Sequence, residues 1–192
     1  MGGLIAAIDD SGQFEYIAVV MGDEQSINNN GKKLPASFTH MNRIPKKEKL
    51  PLLRSFNFRG NICVCCMNID LLNLRKSIDY HSTKLRKRKI KRNFSAIVGY
   101  EIKLALQNNF NDIILDNKCT INDIIFQVDN DILREYLGYS GLQSTTPDVA
   151  HKLADCVAHS NYHKYKIETV KECGKDFKSD FHQKVMQQVK NE

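Results

Sequence analysis

The sequence predicts an α/β protein with a mixed sheet: a three-stranded antiparallel meander, then βα units, flanked by helices. Three observations carry this expectation. The apolar run Leu4 to Ile8 and the run Phe14 to Met21 are joined by a tight turn at Ser11-Gly12-Gln13, which reads as a hairpin. Asn61 to Ile69 (NICVCCMNI) is rich in β-branched and small apolar residues and reads as a third strand. Downstream, segments of helical period alternate with short apolar runs, the pattern of βα units.

The chain has 192 residues, so one domain spanning 1–192 is the default. Its 42% hydrophobic and 26% charged content is that of a globular chain rather than a disordered one. Leu4 to Ile8 has the continuous apolar character of a strand buried on both faces, and it ends at Asp9. Residues 22–60 differ in composition. They hold three of the four prolines, the string Asn28-Asn29-Asn30-Gly31, and eight Lys or Arg between Lys32 and Arg59. They read as a basic, irregular excursion with one short helix near Lys47 to Phe56.

Leu71 to Lys91 is strongly charged. Phe94, Ile97, Val98, Leu104 and Ala105 then share one face of a helix. Asp112 to Asp116 (DIILD) reads as a short buried strand ending, like the first, in Asp. Ile124 to Val128 reads as strand or helix. Thr146-Pro147-Asp148 has cap, Pro and acid in the order that opens a helix, which runs to about His159. A C-terminal helical extension covers about 165–192, with Phe177, Phe181, Val185 and Val189 as its stripe from Lys171 onward.

The net charge of +6 favours an anionic partner. No apolar run is long enough for a membrane span, and Met1-Gly2-Gly3 leads straight into a strand without the pattern of a signal peptide. Six cysteines in a chain of this length, without an export signal, read as reduced thiols, so a cytoplasmic location is expected.

The chemistry-bearing residues are acids. An ionised carboxylate at the last pleat of a central strand is costly to bury alone, so Asp9 calls for a metal, a base or backbone donors. Asp also opens turns after strands, the plainer reading of the same residue. Asp10 competes with it, because neighbours on a strand face opposite sides. Glu101 falls inside the apolar stripe of its helix, an unusual position for a Glu without a purpose. Asp116 ends the DIILD run. Asp155 lies opposite the apolar face of the late helix, facing an open cleft or plain solvent. Asp148 shares that face and is the alternative fourth acid, though an acid at a helix N-terminus also has a dipole explanation.

The order of these elements and acids resembles the ribonuclease H-like superfamily. Ile8-Asp9-Asp10-Ser11-Gly12 looks like the "IDESG" opening of one branch and is similar to the "DEAG" opening of type-two ribonucleases H. Ala154-Asp155-Cys156-Val157-Ala158 is similar to the "AD-x-(L/I/V)-A" helix of several branches. The resemblance spans about residues 4–160 and rests on the order of short motifs. It implies a first-strand acid at Asp9, a helix acid at Glu101, a fourth-strand acid at Asp116 and a late-helix acid at Asp155. These would be both catalytic residues and ligands for Mg²⁺ or Mn²⁺, with Asp10 and Asp148 as second choices. Two such ions about 4 Å apart clamp the attacking water and the leaving oxygen of a phosphodiester, and Mg²⁺ takes hard oxygen ligands.

Seven of nine residues from Lys84 to Arg92 are basic. Lys84, Arg86, Lys87, Arg88, Lys89, Lys91 and Arg92 would track a phosphate backbone, or form a solvated helix face. Cys63, Cys65 and Cys66 read as small core residues. Cys156, His159 and His163 have helical spacing but lack an evident fourth zinc ligand. His151 and His159 share the face of Asp155 and could assist proton transfer. The expected function is a metal-dependent nuclease acting on RNA, DNA or a hybrid. The alternative is a non-catalytic nucleic-acid-binding protein of the same fold.

Overall fold

The computed structural model of the protein describes residues 3–11, 16–68, 110–120, 123–128, 149–165 and 167–173. Elements are numbered within those residues. Strands β1 (Ile5–Ser11) and β2 (Tyr16–Gly22) form the expected hairpin, paired antiparallel from Ile5↔Gly22 to Ser11↔Tyr16. Strand β3 (Ile62–Asn68) adds to β2 antiparallel and completes the meander. Strand β4 (Ile125–Val128) lies parallel to β1, from Ile5↔Ile125 to Ile8↔Val128. Strand β5 (Lys171–Cys173) lies parallel to β3. The five-stranded order is β4-β1-β2-β3-β5, an α/β mixed sheet as expected.

The excursion between β2 and β3 is more ordered than its composition suggests. Helix α1 (Glu24–Gly31) opens on Asp23, whose Oδ1 accepts from the Ser26 amide at 2.7 Å. Its Asn-rich body has poor helix propensity, yet Asn30 holds both sides of Arg59. Asn30 Nδ2 donates to the Arg59 carbonyl at 2.9 Å, and Asn30 Oδ1 accepts from the Arg59 backbone amide at 3.2 Å. A 3-10 turn (Met41–Arg43) follows, then helix α2 (Lys46–Ser55), the one helix expected here.

Two further expectations are overturned. Asp112 to Asp116 is not a strand but lies within helix α3 (Asn111–Asp116). Phe110, Ile113 and Ile114 are buried while Leu115 is 62% exposed. That i, i+3, i+4 pattern is helical, and a run of three apolar residues read without Phe110 hides it. The C-terminal extension does not begin as a helix, because Lys171–Cys173 pairs with β3. The remainder of that extension lies outside the described residues. No helix among the described residues is long and apolar enough to cross a membrane.

Helix α4 (Val149–Tyr162) organises the molecule. It packs across β1 and β2, and on its other side it meets α1 and the 3-10 turn. Small residues permit the close approach: Ala154 and Ala158 share a buried core with Ala7 and Ala18 of the sheet. Phe38, Met41, Leu53, Phe56 and Phe58 from the excursion join the same core. The basic excursion is therefore a lid of packed structure over α4, and every residue from Leu153 to Ser160 is buried. The opposite sheet face is equally dry, with Ile8, Ile17, Val19 and Met21 at or below 1% exposure.

Gly31, the last residue of α1, marks the tightest helix approach. A Cβ there would run into Val149 Cγ1 at the start of α4. Gly31→Ala should therefore destabilise the protein, by about 1–3 kcal/mol, the usual cost of overpacking. Chemical denaturation of the variant beside wild type measures it, and a variant of unchanged or higher stability would show that α1 and α4 are not this close.

Candidate functional site

Asp9 lies one residue beyond the end of the parallel pairing, since Ile8 is the partner of Val128. Ligand sites in α/β sheets gather at the carboxyl ends of parallel strands. The pleat puts Asp9 on the same face as Ala7, toward α4. There it meets two residues from distant parts of the chain. Ligand atoms of Asp9, His40 and Asp155 all lie within 4.8 Å of one another. Asp9 and Asp155 are thus brought together as expected.

Asp155 corrects one expectation. It does not face plain solvent, and its side chain is only 6% exposed. The lid covers it: Asp155 Oδ2 accepts from the Met41 amide at 2.6 Å, and Oδ1 lies 3.4 Å from His40 Nε2. His40 caps the 3-10 turn, with Nδ1 accepting from the Asn42 amide at 3.0 Å. A backbone N–H can only donate, so His40 Nδ1 carries no proton and the neutral ring bears its proton on Nε2, toward Asp155. His151, one turn before Asp155 on α4, is buried with Nε2 3.9 Å from Asp9 Oδ1.

The other expected residues fare differently. Asp116 is exposed at the end of α3, on a shallow depression with Asp112, Asn61 and Cys63, and is not part of the Asp9 group. Its assignment as a fourth-strand acid is overturned with the strand itself, because β4 is the parallel neighbour of β1. Glu101, Asp148 and the basic residues Lys84, Arg86, Lys87, Arg88, Lys89, Lys91 and Arg92 lie outside the described residues, as does the side chain of Asp10. His40 was not anticipated. Nothing local in Thr39-His40-Met41 signals a contact with a helix so far along the chain.

Two carboxylates this close in a dry setting repel. Burial pushes the Asp155 carboxyl above its ordinary value, against the Met41 amide, His40, His151 and Lys49, which favour the charged form. Burial, with Asp155 and Asp9 nearby, also pushes the Cys156 thiol well up, so Cys156 is an inert core residue. A divalent cation would relieve the repulsion. Asp9 and Asp155 offer the hard oxygen donors that Mg²⁺ and Mn²⁺ take. For His40 to coordinate through Nε2, its proton would have to move to Nδ1 and the Asn42 hydrogen bond would be lost. His40 is therefore better suited to donate a hydrogen bond beside the cation than to bind it.

One turn further along α4, His159 is buried and its Nε2 lies 3.1 Å from Lys49 Nζ of α2. Burial, then the charges of Lys49, His163 and His40, pull the His159 pKa from 6.5 down to about 4. The ring is neutral at pH 7 and accepts from the ammonium. No protein family, curated protein or solved structure matches this chain.

Two predictions follow from this geometry. Removing one charge from the paired carboxylates should relieve repulsion, so Asp9→Asn should melt at or above the wild-type temperature without metal. Wild type should gain about 2.7 kcal/mol at roughly a hundred times the Kd for Mn²⁺, and Asp9→Asn should lose most of that gain. Thermal melts with and without Mn²⁺ read both, and a variant melting far lower in metal-free buffer would give Asp9 a structural role instead.

The pH dependence has a definite sign. Folded His159 titrates near 4 and the unfolded ring near 6.5, so the folded state holds fewer protons between those values. Its contribution to stability is full above pH 6.5 and is lost as pH falls toward 4. Asp155, shifted upward, acts in the opposite direction. His159→Gln keeps an acceptor for Lys49 but cannot titrate, so denaturation across this window should show a smaller acid loss in the variant than in wild type. Equal losses would remove the depressed imidazole from the account.

Proposed function

We propose that the protein is a metal-dependent phosphodiesterase of ribonuclease H-like architecture, a nuclease that uses Mg²⁺ or Mn²⁺ held by Asp9 and Asp155. The observation that carries this reading is the convergence of those two carboxylates, from the first strand and the last described helix, at the carboxyl end of a parallel strand pair. The sheet supports it through its antiparallel meander, the parallel strand β4 beside β1, and a late helix carrying an acid. The net charge of +6 and the basic run from Lys84 to Arg92 support a nucleic-acid substrate, and the cysteine content fits a reducing, cytoplasmic setting.

In this reading Asp9 and Asp155 would hold the cation, which would supply neutralisation of the carboxylate pair and polarisation of a phosphoryl oxygen. Asp9 and Asp155 fix its position, because each is held by a rigid element. The Met41 amide and His40 orient the Asp155 carboxylate. His40 Nε2–H, whose tautomer the Asn42 amide sets, supplies a donor beside the reacting oxygens.

The test is hydrolysis of labelled RNA, DNA and hybrid substrates with Mn²⁺, Mg²⁺ or chelator. Wild type should cleave at least one of them only with metal. Asp9→Asn and Asp155→Asn should lose at least a hundredfold in rate, of the order seen when charge stabilisation is removed from an active site. Asp155→Asn retains an oxygen for the Met41 amide, so folding should persist. Asp116→Asn should cleave as wild type does. Salt-sensitive binding without metal-dependent cleavage would favour a non-catalytic nucleic-acid-binding protein.

A further inference from the structure

A row of side chains leads away from the carboxylate pair along α4, and the phosphodiesterase reading does not use it. It begins with Lys49. The Lys49 ammonium rests on the neutral His159 ring and makes no salt bridge among the described residues. His159 stacks at a tilt on His163, with ring centroids 4.3 Å apart. His163 meets Tyr162 edge-on at 5.2 Å, and Tyr162 meets Tyr16 of β2 edge-on at 6.3 Å. His163 is exposed, and Tyr162 is 45% exposed just beyond the buried stretch from Leu153 to Ser160.

The backbone fixes this row. The chain leaves α4 with Lys164 at φ 58°, the left-handed position that closes a helix. The Lys164 amide donates to the Asn161 carbonyl at 2.9 Å and the Tyr165 amide to the Ser160 carbonyl at 2.8 Å. This Schellman arrangement uses a non-glycine residue where αL is unfavourable. Tyr162 and His163 are thereby held against Tyr16 and His159 rather than left on a fraying end.

We propose that this row is a subsite for one nucleotide unit of a single-stranded nucleic acid, with Lys49 contacting a phosphate and the Tyr162 and His163 rings stacking a base. The choice of ligand rests on the phosphodiesterase reading. The chemistry matches an unpaired nucleotide in two ways. An aromatic face accepts any base without reading its edge, and a cation beside it takes the backbone charge. A duplex would hide its base faces within its own stack. The position also fits, because His159 is one helical turn from Asp155 and Lys49 lies near enough to favour its ionised form. A strand lying on the rings would thus pass its phosphates toward Asp9 and Asp155.

Fluorescence anisotropy with labelled oligothymidylate and oligouridylate of roughly ten nucleotides tests this without turnover, in chelator and in Mg²⁺. Tyr162→Ala and His163→Ala should each weaken binding by about 5- to 150-fold, the loss of one stacked base. Tyr162→Phe should bind as wild type does. An abasic probe of equal length should not distinguish Tyr162→Ala from wild type. Lys49→Gln should reduce the slope of log K against log salt by about 0.7. His163 is exposed, so its variant reports even if Tyr162→Ala folds poorly. Wild-type affinity in both alanine variants, or no binding by wild type, would overturn the subsite. Metal-dependent hydrolysis of bis(p-nitrophenyl) phosphate by wild type separates the two readings. Hydrolysis with binding indifferent to the rings ends the subsite alone. Ring-dependent binding without hydrolysis supports the subsite and ends the phosphodiesterase reading.

Discussion

The burial of the Asp155 carboxylate beneath the Met41 amide is the contact on which the rest of the site depends. Helix α4 is enclosed between the sheet and the lid formed by residues 24–58, and apolar packing supplies nearly all of that enclosure. Asp155 is the only acid in the buried stretch of the helix. Taking a carboxylate out of water is costly unless its oxygens find donors. The 3-10 turn supplies one from its first amide, and the His40 ring lies 3.4 Å from the other oxygen. The same bond that satisfies the carboxylate therefore docks the lid and brings His40 to Asp9.

A second consequence is electrostatic. The site pairs two largely buried acids and places His40, His151, and Lys49 held on His159, around them. The arrangement stabilises a folded core only moderately by itself, since like charges repel. It is better matched to a positive guest than to an empty structural role, which is why the phosphodiesterase proposal rests on it.

How much was legible in the sequence depends on whether the signal was local. The hairpin strands, β3 and α4 were legible, because their signals lie in short stretches of local sequence. Asp9 and Asp155 were legible as candidates through the short strings around them. Helix α1 was not, because its Asn-rich residues are stabilised by Asn30 reaching Arg59 across the chain. Strand β5 is three residues long and owes its state to pairing with β3. Asp116 was misread because DIILD imitates a buried strand, while the strand parallel to β1 comes later, and in the sequence Asp129 follows its last residue. His40 and Lys49 were invisible, since only the folding of the lid over α4 brings them to the acids.

The most direct test of this account is the anomalous scattering of Mn²⁺ in a crystal of the wild-type protein. The expected result is a peak within about 2.5 Å of carboxylate oxygens of both Asp9 and Asp155, a coordination distance, with His40 Nδ1 still accepting from the Asn42 amide. A map with no peak between those carboxylates, or with manganese only at exposed acids such as Asp112 and Asp116, would contradict it.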